Sequence, residues 1–202
     1  MRTRSVIVTA SIIVAAAIWV GTVGAAARAI RRFEATPGRE ASAPKSWPAE
    51  SSLVRNHDAP TLVMLVHPQC SCTRASLLEL QAVIEKSPRV MRTYVVVYRP
   101  RQMKAGWEKT DIYDAATRLR GTHVVVDEDG REAKRFGTFT SGQTFLYDAG
   151  GTLRFEGGIT MLRGHAGLNS GRADVIHIAN GESGKGTHPV FGCSIVSRGE
   201  RR

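Results

Sequence analysis

The stretch HPQCSCTRASLLEL, residues 67–80, carries two of the chain's three cysteines with only Ser71 between them. The apolar run TLVMLV (61–66) that precedes it has the length and composition of a buried strand. Beyond it, Leu77, Leu80 and Ile84 recur at three- and four-residue steps, the spacing of one helix face, and Pro88 is expected to end that helix. Cys70 and Cys72 therefore fall where a strand hands over to a helix. Unsatisfied N–H groups and about half a positive charge gather at such a helix start, and both favour thiolate over thiol. Cys70 is expected to be a reactive cysteine reachable by other molecules. His67 and Arg74 are close enough in sequence to add positive potential, although a histidine at a strand end before proline is more often structural.

Two residues separated by one can bring their Cα atoms within the ~4.4–6.8 Å disulfide range only if the backbone between them bends tightly. A Cys70–Cys72 bond is thus expected to be strained and readily reduced. A bridge between such near neighbours closes almost no loop and stabilises the fold little, which favours exchange chemistry over an inert staple.

Working outward, short apolar runs alternate with amphipathic segments, the pattern of a sheet with helices packed on it. TYVVVY (93–98) and THVVVD (122–127) read as strands rich in β-branched residues. Between them WEKTDIYDAATRL (107–119) reads as a helix burying Ile112, Ala115, Ala116 and Leu119, stopped by Gly121. QTFLYDAGGTLRFEGG (143–158) is a β-hairpin, and NSGRADVIHIANG (169–181) a short helix with Asn169 or Ser170 as N-cap and Gly181 as stop. The carboxylates Asp127, Glu128 and Asp129 read as a solvated turn.

Upstream, residues 1–32 hold a run without charge from Ser5 to Ala27. At ~1.5 Å per residue such a run crosses a hydrocarbon core of ~30 Å. It reads as a transmembrane anchor, with a cleaved secretory signal as the rival reading. Arg2 and Arg4 favour a cytoplasmic N-terminus, while Arg28, Arg31 and Arg32 pull the opposite way. Residues 33–60, with Pro37, Pro44, Pro48 and Pro60, read as an extended linker outside any packed core. Residues 61–180 form the domain, and 181–202 a glycine-rich tail containing Cys193.

The net charge of +10 does not point to nucleic acid. Five of the 28 basic residues are arginines flanking the apolar run, leaving 23 against 18 acidic ones with interleaved signs and no base-stacking motif. GESGKGT (181–187) lacks the residues of a phosphate-binding loop, because Gly186 stands where Ser or Thr is required.

The order of elements, together with the Cys70/Cys72 turn and the stretch VVVDEDGREAKRFGTFTSGQTFLYDAGGTLRFEGG (124–158), resembles the thioredoxin-like superfamily, in particular its membrane-anchored periplasmic thiol–disulfide oxidoreductases. The resemblance covers roughly residues 61–180. It implies an α/β fold: a three-layer sandwich with a central mixed β-sheet and helices on both faces, preceded here by the N-terminal transmembrane helix. It also implies thiol–disulfide exchange by Cys70 as attacking thiolate and Cys72 as resolving thiol, without a cofactor. Partners would be protein thiols or disulfides and an upstream redox protein, at a bacterial-type inner membrane with the domain in the periplasm. Two departures stand out. Ser71 alone separates the cysteines where the family usually has two residues, and Gly142 occupies the place of the family's cis-proline.

A second reading needs no exchange. Two thiols beside His67 offer ligands for a soft ion such as copper(I), with His188 and Cys193 able to complete the site if the tail folds back. Cys193 otherwise reads as a third exchange partner, an intermolecular link or a small buried apolar residue.

Overall fold

The computed structural model of the chain describes residues 2–87 and 91–195. Pro88 lies outside the described residues, as does the end of the tail beyond Ile195. The chain divides into two units, residues 1–36 and 37–202. The first is the single helix α1 (Arg2–Ala35). Its segment Val6–Ala35 is long and apolar enough to cross a membrane, a test that an N-terminal signal sequence also passes.

The second unit is built on strands β1 (Thr61–Val66), β2 (Arg92–Arg99), β3 (Thr122–Glu128), β4 (Gln143–Tyr147) and β5 (Leu153–Gly157). They form one sheet in the order β3-β2-β1-β4-β5. The first three strands run parallel, β4 runs antiparallel to β1, and β5 returns as the second arm of the hairpin. Helices α2 (Thr73–Lys86), α3 (Asp111–Arg118), α4 (Arg131–Arg135) and α5 (Ser170–Ala179) complete the unit. This is the thioredoxin-like arrangement, with the mixed sheet at its centre.

The period of two along β1 divides the core. Leu62, Met64 and Val66 point to one face, where they meet Leu77, Leu80 and Val83 of α2, Ile112 and Ala116 of α3, and Val175 and Ala179 of α5. Val63 and Leu65 point to the other, with Tyr94, Val96, Phe136, Phe145 and Tyr147. Helix α3 is shorter than the 107–119 stretch, because residues 101–109 turn before Thr110 begins the helix. Asn169 caps α5 as its sequence suggests, accepting from the N–H of Arg172. Asp127 departs from its reading as a solvated carboxylate. It is buried and accepts from the N–H groups of Glu132 and Ala133 at 2.9 and 3.0 Å, serving the start of α4, where Gly130 has no side chain to offer.

The linker reading of 33–60 needs correction, since the compact unit already begins at Pro37. Trp47 sets its ring edge-on against Phe136 and Tyr147, with centroids 5.4 and 5.3 Å away, and Leu53 is buried in the same cluster. The backbone is tied down by Ser42 N–H to Gly137 O, Trp47 N–H to Gly151 O and Leu153 N–H to Lys45 O, each 2.8 Å. The hydroxyls of Ser51 and Ser52 both donate to the Glu132 carboxylate. Proline removes a donor but leaves the carbonyl free to accept, as Pro44 O does from the Tyr147 hydroxyl at 3.0 Å. An extended, proline-rich segment is therefore suited to covering the sheet face that α4 alone is too short to close.

The tail needs the same correction. Val190, Phe191 and Ile195 are buried, and Ile195 joins the second-face cluster.

Candidate active site

Strand β1 delivers the chain to a tight turn at 67–70, closed by Cys70 N–H donating to His67 O at 3.1 Å. The helical path begins at once. Thr73 N–H donates to Cys70 O at 3.0 Å, Ala75 N–H to Cys72 O at 3.2 Å, and Cys72 has helical φ and ψ of −63° and −26°. Both cysteines thus lie in the turn that leads from β1 into α2, with Cys72 as the helix N-cap, at the strand-to-helix junction the sequence predicts. Thr110, ahead of α3, secures the turn by donating its hydroxyl to Pro68 O at 2.8 Å.

The third sulfur arrives from the other end of the chain. Residues 193–195 lie along residues 139–141 as a short antiparallel strap: Ser141 N–H donates to Cys193 O at 2.8 Å, Ile195 N–H to Phe139 O at 2.9 Å, and Thr140 bridges Ser194. Gly192 permits this approach, since a Cβ there would lie 1.9 Å from Ser141 O. The Arg163 guanidinium donates to Gly192 O and holds the strap from outside. Cys193 Sγ comes to lie 2.7 Å from Cys70 Sγ, and the sulfurs of Cys70, Cys72 and Cys193 are all within 4.8 Å of one another.

This cluster separates the three thiols electrostatically. Cys70 is lowered to about 5, chiefly by the hydrogen bond from the Cys193 thiol, against the opposing effect of burial. The Cys193 backbone N–H at 3.4 Å, the Thr73 hydroxyl and the Cys72 backbone add to the lowering. Cys72 is raised, first by burial and then by the neighbouring Cys70 charge. Cys193 is raised by its hydrogen bond to Cys70, by burial and by the same charge. The positive charge of Arg163 opposes the rise at both. One thiolate and two thiols is the resulting state near neutral pH.

Of the residues singled out in the sequence, the structure brings together Cys70, Cys72 and Cys193, and not the histidines. His67 Nδ1 accepts from Gln69 N–H at 3.1 Å while its ring packs between Tyr98 and Trp107. His188 Nε2 pairs with Asp174 Oδ2 at 2.6 Å over the ring of Phe155. Arg74 reaches out to Asp111 at the surface. Access differs from expectation as well. Cys70 is 1% exposed and Cys72 8%, whereas Cys193 is half-buried. The strap lies over Cys70.

Three residues of the site escaped the sequence reading. Thr73 and Ser141 share a 2.8 Å hydroxyl contact, and Ser141 Oγ accepts from His67 N–H at 2.9 Å. Arg163 lies in a loop with no periodic pattern to mark it. The stretch TSG at 140–142 carried a signal, but only for its glycine. Gly142 has φ +88° and donates its N–H to Leu65 O at 2.8 Å, and a Cβ there would meet Ser76 Oγ at 2.8 Å. Glycine, with no cis peptide among the described residues, thus brings this loop against the end of β1.

No protein-family model and no curated protein matches the chain. Among solved structures, the chain is similar to an uncharacterized conserved protein from Geobacillus kaustophilus, at 18% identity and a TM-score of 0.58 over 81% of this chain and 93% of that one. It is similar to a hypothetical protein from Sinorhizobium meliloti at 18% identity and a TM-score of 0.57, covering 79% and 93%. StoA from Bacillus subtilis aligns at 18% identity with a TM-score of 0.42, covering 60% and 88%. The first two likenesses extend well beyond the sheet and show the fold. The fold has the thioredoxin-like arrangement, and it carries a three-cysteine cluster at the start of the first helix of its second unit.

Proposed function

We propose that this chain is a thiol–disulfide oxidoreductase tethered by α1 to a bacterial-type inner membrane, with its thioredoxin-like unit on the periplasmic side. Cys70 is the reactive thiolate of the exchange, and Cys72 is the second thiol of its turn. The observation that carries this reading is the placement of Cys70 at a helix N-terminus, accepting from the thiol and N–H of Cys193, with the Cys72 thiol also inside 4.8 Å. Stabilising a thiolate stabilises the reduced form, which makes the corresponding disulfide a better oxidant. Substrates are protein thiols or disulfides, and electrons pass to or from a second redox protein. The apolar helix α1 supports the tether.

The test uses reduced full-length protein in detergent, exposed to oxidised glutathione. A Cys72→Ala, Cys193→Ala double variant, which has no internal thiol to resolve a mixed disulfide, is expected to accumulate one glutathione adduct, at Cys70. A folded variant that gains no adduct there overturns the reading.

The same sulfur cluster favours a second reading, a soft-metal site. Three thiolates converging from two directions suit copper(I), and the expectation that His67 or His188 would assist is not met. Stoichiometric copper(I) that protects all three thiols from alkylation, in a protein that exchanges no disulfide, would establish it.

A further inference from the structure

We infer that the internal disulfide of this protein joins Cys70 to Cys193, not to Cys72, and that Cys193 is the sulfur presented to partner proteins. This rests on the exchange reading above and assigns the roles within it.

The geometry of the two candidate pairs is unequal. Cys70 and Cys72 lie in the turn that leads into α2, held by the Thr73 and Ala75 amides. Cysteines two apart are joined only with the backbone between them tightly bent, so bridging them requires this hydrogen-bonded turn to rearrange. Cys70 and Cys193 come from separate segments and already stand 2.7 Å apart. A bond of ~2.05 Å needs only a small closing motion of the strap.

The strap is also anchored on both sides of Cys193, by buried Phe191 before it and buried Ile195 after it. It pairs with residues 139–141 as an added peptide strand pairs with a sheet edge. Cys193 is therefore held at Cys70 by the fold.

Exposure then decides which sulfur meets the partner. Cys70 is 1% exposed beneath the strap while Cys193 is half-buried, so with both sulfurs present an incoming thiolate meets Cys193 first. In the oxidised protein the partner's thiolate attacks Cys193 Sγ, the Cys70–Cys193 bond breaks, and its electron pair leaves on Cys70. Cys70 is the better leaving group of the two because its thiolate is the one the site stabilises. The partner's second thiol then attacks its own sulfur in the mixed disulfide and releases Cys193, which takes up a proton. The partner dithiol is oxidised to a disulfide, the protein disulfide is reduced to one thiol and one thiolate, and one proton goes to water. The reverse sequence, with a disulfide-bearing redox protein, restores the oxidised form. Cys72 stays a thiol throughout.

The test is disulfide mapping of the wild-type full chain after oxidation with glutathione disulfide, by alkylation, non-reducing digestion and mass spectrometry. The expected result is a peptide linking Cys70 to Cys193, with Cys72 alkylated as the free thiol. Brief treatment of the oxidised protein with reduced glutathione, quenched in acid, is expected to place the adduct on Cys193. A Cys70–Cys72 or Cys72–Cys193 linkage, or an adduct formed first on Cys70 or Cys72, overturns the assignment while leaving exchange itself standing. No internal disulfide and no adduct at any cysteine overturns both.

Discussion

Replacing Cys70 by serine is expected to lower the rate of disulfide exchange by ~10³-fold or more, because it removes the nucleophile and not merely one of its supports. The same substitution is expected to change the pH dependence of stability. Cys70 has its pKa lowered in the folded state by the Cys193 hydrogen bond, to about 5 from an ordinary thiol value of 9.0. Its contribution is therefore complete above the ordinary thiol range and is lost as pH falls toward and through 5. Cys72 and Cys193 have the opposite sign. Raised in the folded state, they contribute fully below the ordinary thiol range and progressively less as pH climbs above it. Reduced wild-type protein should thus gain stability from pH 5 toward 8, and Cys70→Ser should flatten that rise. Urea denaturation at a series of pH values reads this directly; an unchanged slope in the variant would show that Cys70 is not held as a thiolate.

Glu79→Ala is expected to cost about 3 kcal/mol, read as a fall in Tm of roughly 6–12 °C for a unit of this size. Glu79 is buried on α2 and pairs with Arg172 of α5 at 2.6 Å, with side-chain exposures of 3% and 12%. Its other contacts are the N–H of Gly167 and, at 3.4 Å, the side-chain amide of Asn169, the residue that caps α5. Removing the carboxylate strands a largely buried guanidinium and an amide donor together, and breaking such a pair costs more than the pair contributes when intact. Glu79→Gln, which keeps an acceptor for Gly167, should lose less. Thermal denaturation of the two variants separates these effects, and a loss below ~1 kcal/mol in Glu79→Ala would mean that α2 and α5 are held by apolar packing alone.

The elements around the cysteines were legible because each follows a strong local rule. TLVMLV is buried throughout, and Leu77 and Leu80 of α2 meet the sheet as expected, with Val83 in the core and Ile84 only half-buried beside it. The Asp148–Gly151 turn forms the hairpin, and Asn169 caps α5. Less legible were the features that depend on contacts between distant segments. Nothing local in PGREASAPKSWPAE (37–50) says that Trp47 will find Phe136 and Tyr147, since a lone aromatic among prolines fits an extended spacer equally well. Glu79 reads as an ordinary charged position on a helix until Arg172, 93 residues away, is placed beside it. Cys193 is the sharpest case. Its approach to Cys70 spans 123 residues and depends on a glycine at 192, a guanidinium at 163 and two backbone hydrogen bonds, none of which has a periodic signature. The Cys70/Cys72 turn was legible as a strand-to-helix junction, but the exposure of its sulfurs was not.

On the exchange reading this sulfur cluster is a redox centre and not an inert bridge. Its most direct test is the reduction potential of the full-length protein, equilibrated in thiol–disulfide buffers of known potential, with each cysteine's oxidation read by differential alkylation. A two-electron transition that includes Cys70, between about −270 and −120 mV, is the expected result, in the range of proteins that exchange disulfides. A transition below about −300 mV, the range of structural disulfides, or no oxidation of Cys70 at any potential, would contradict it.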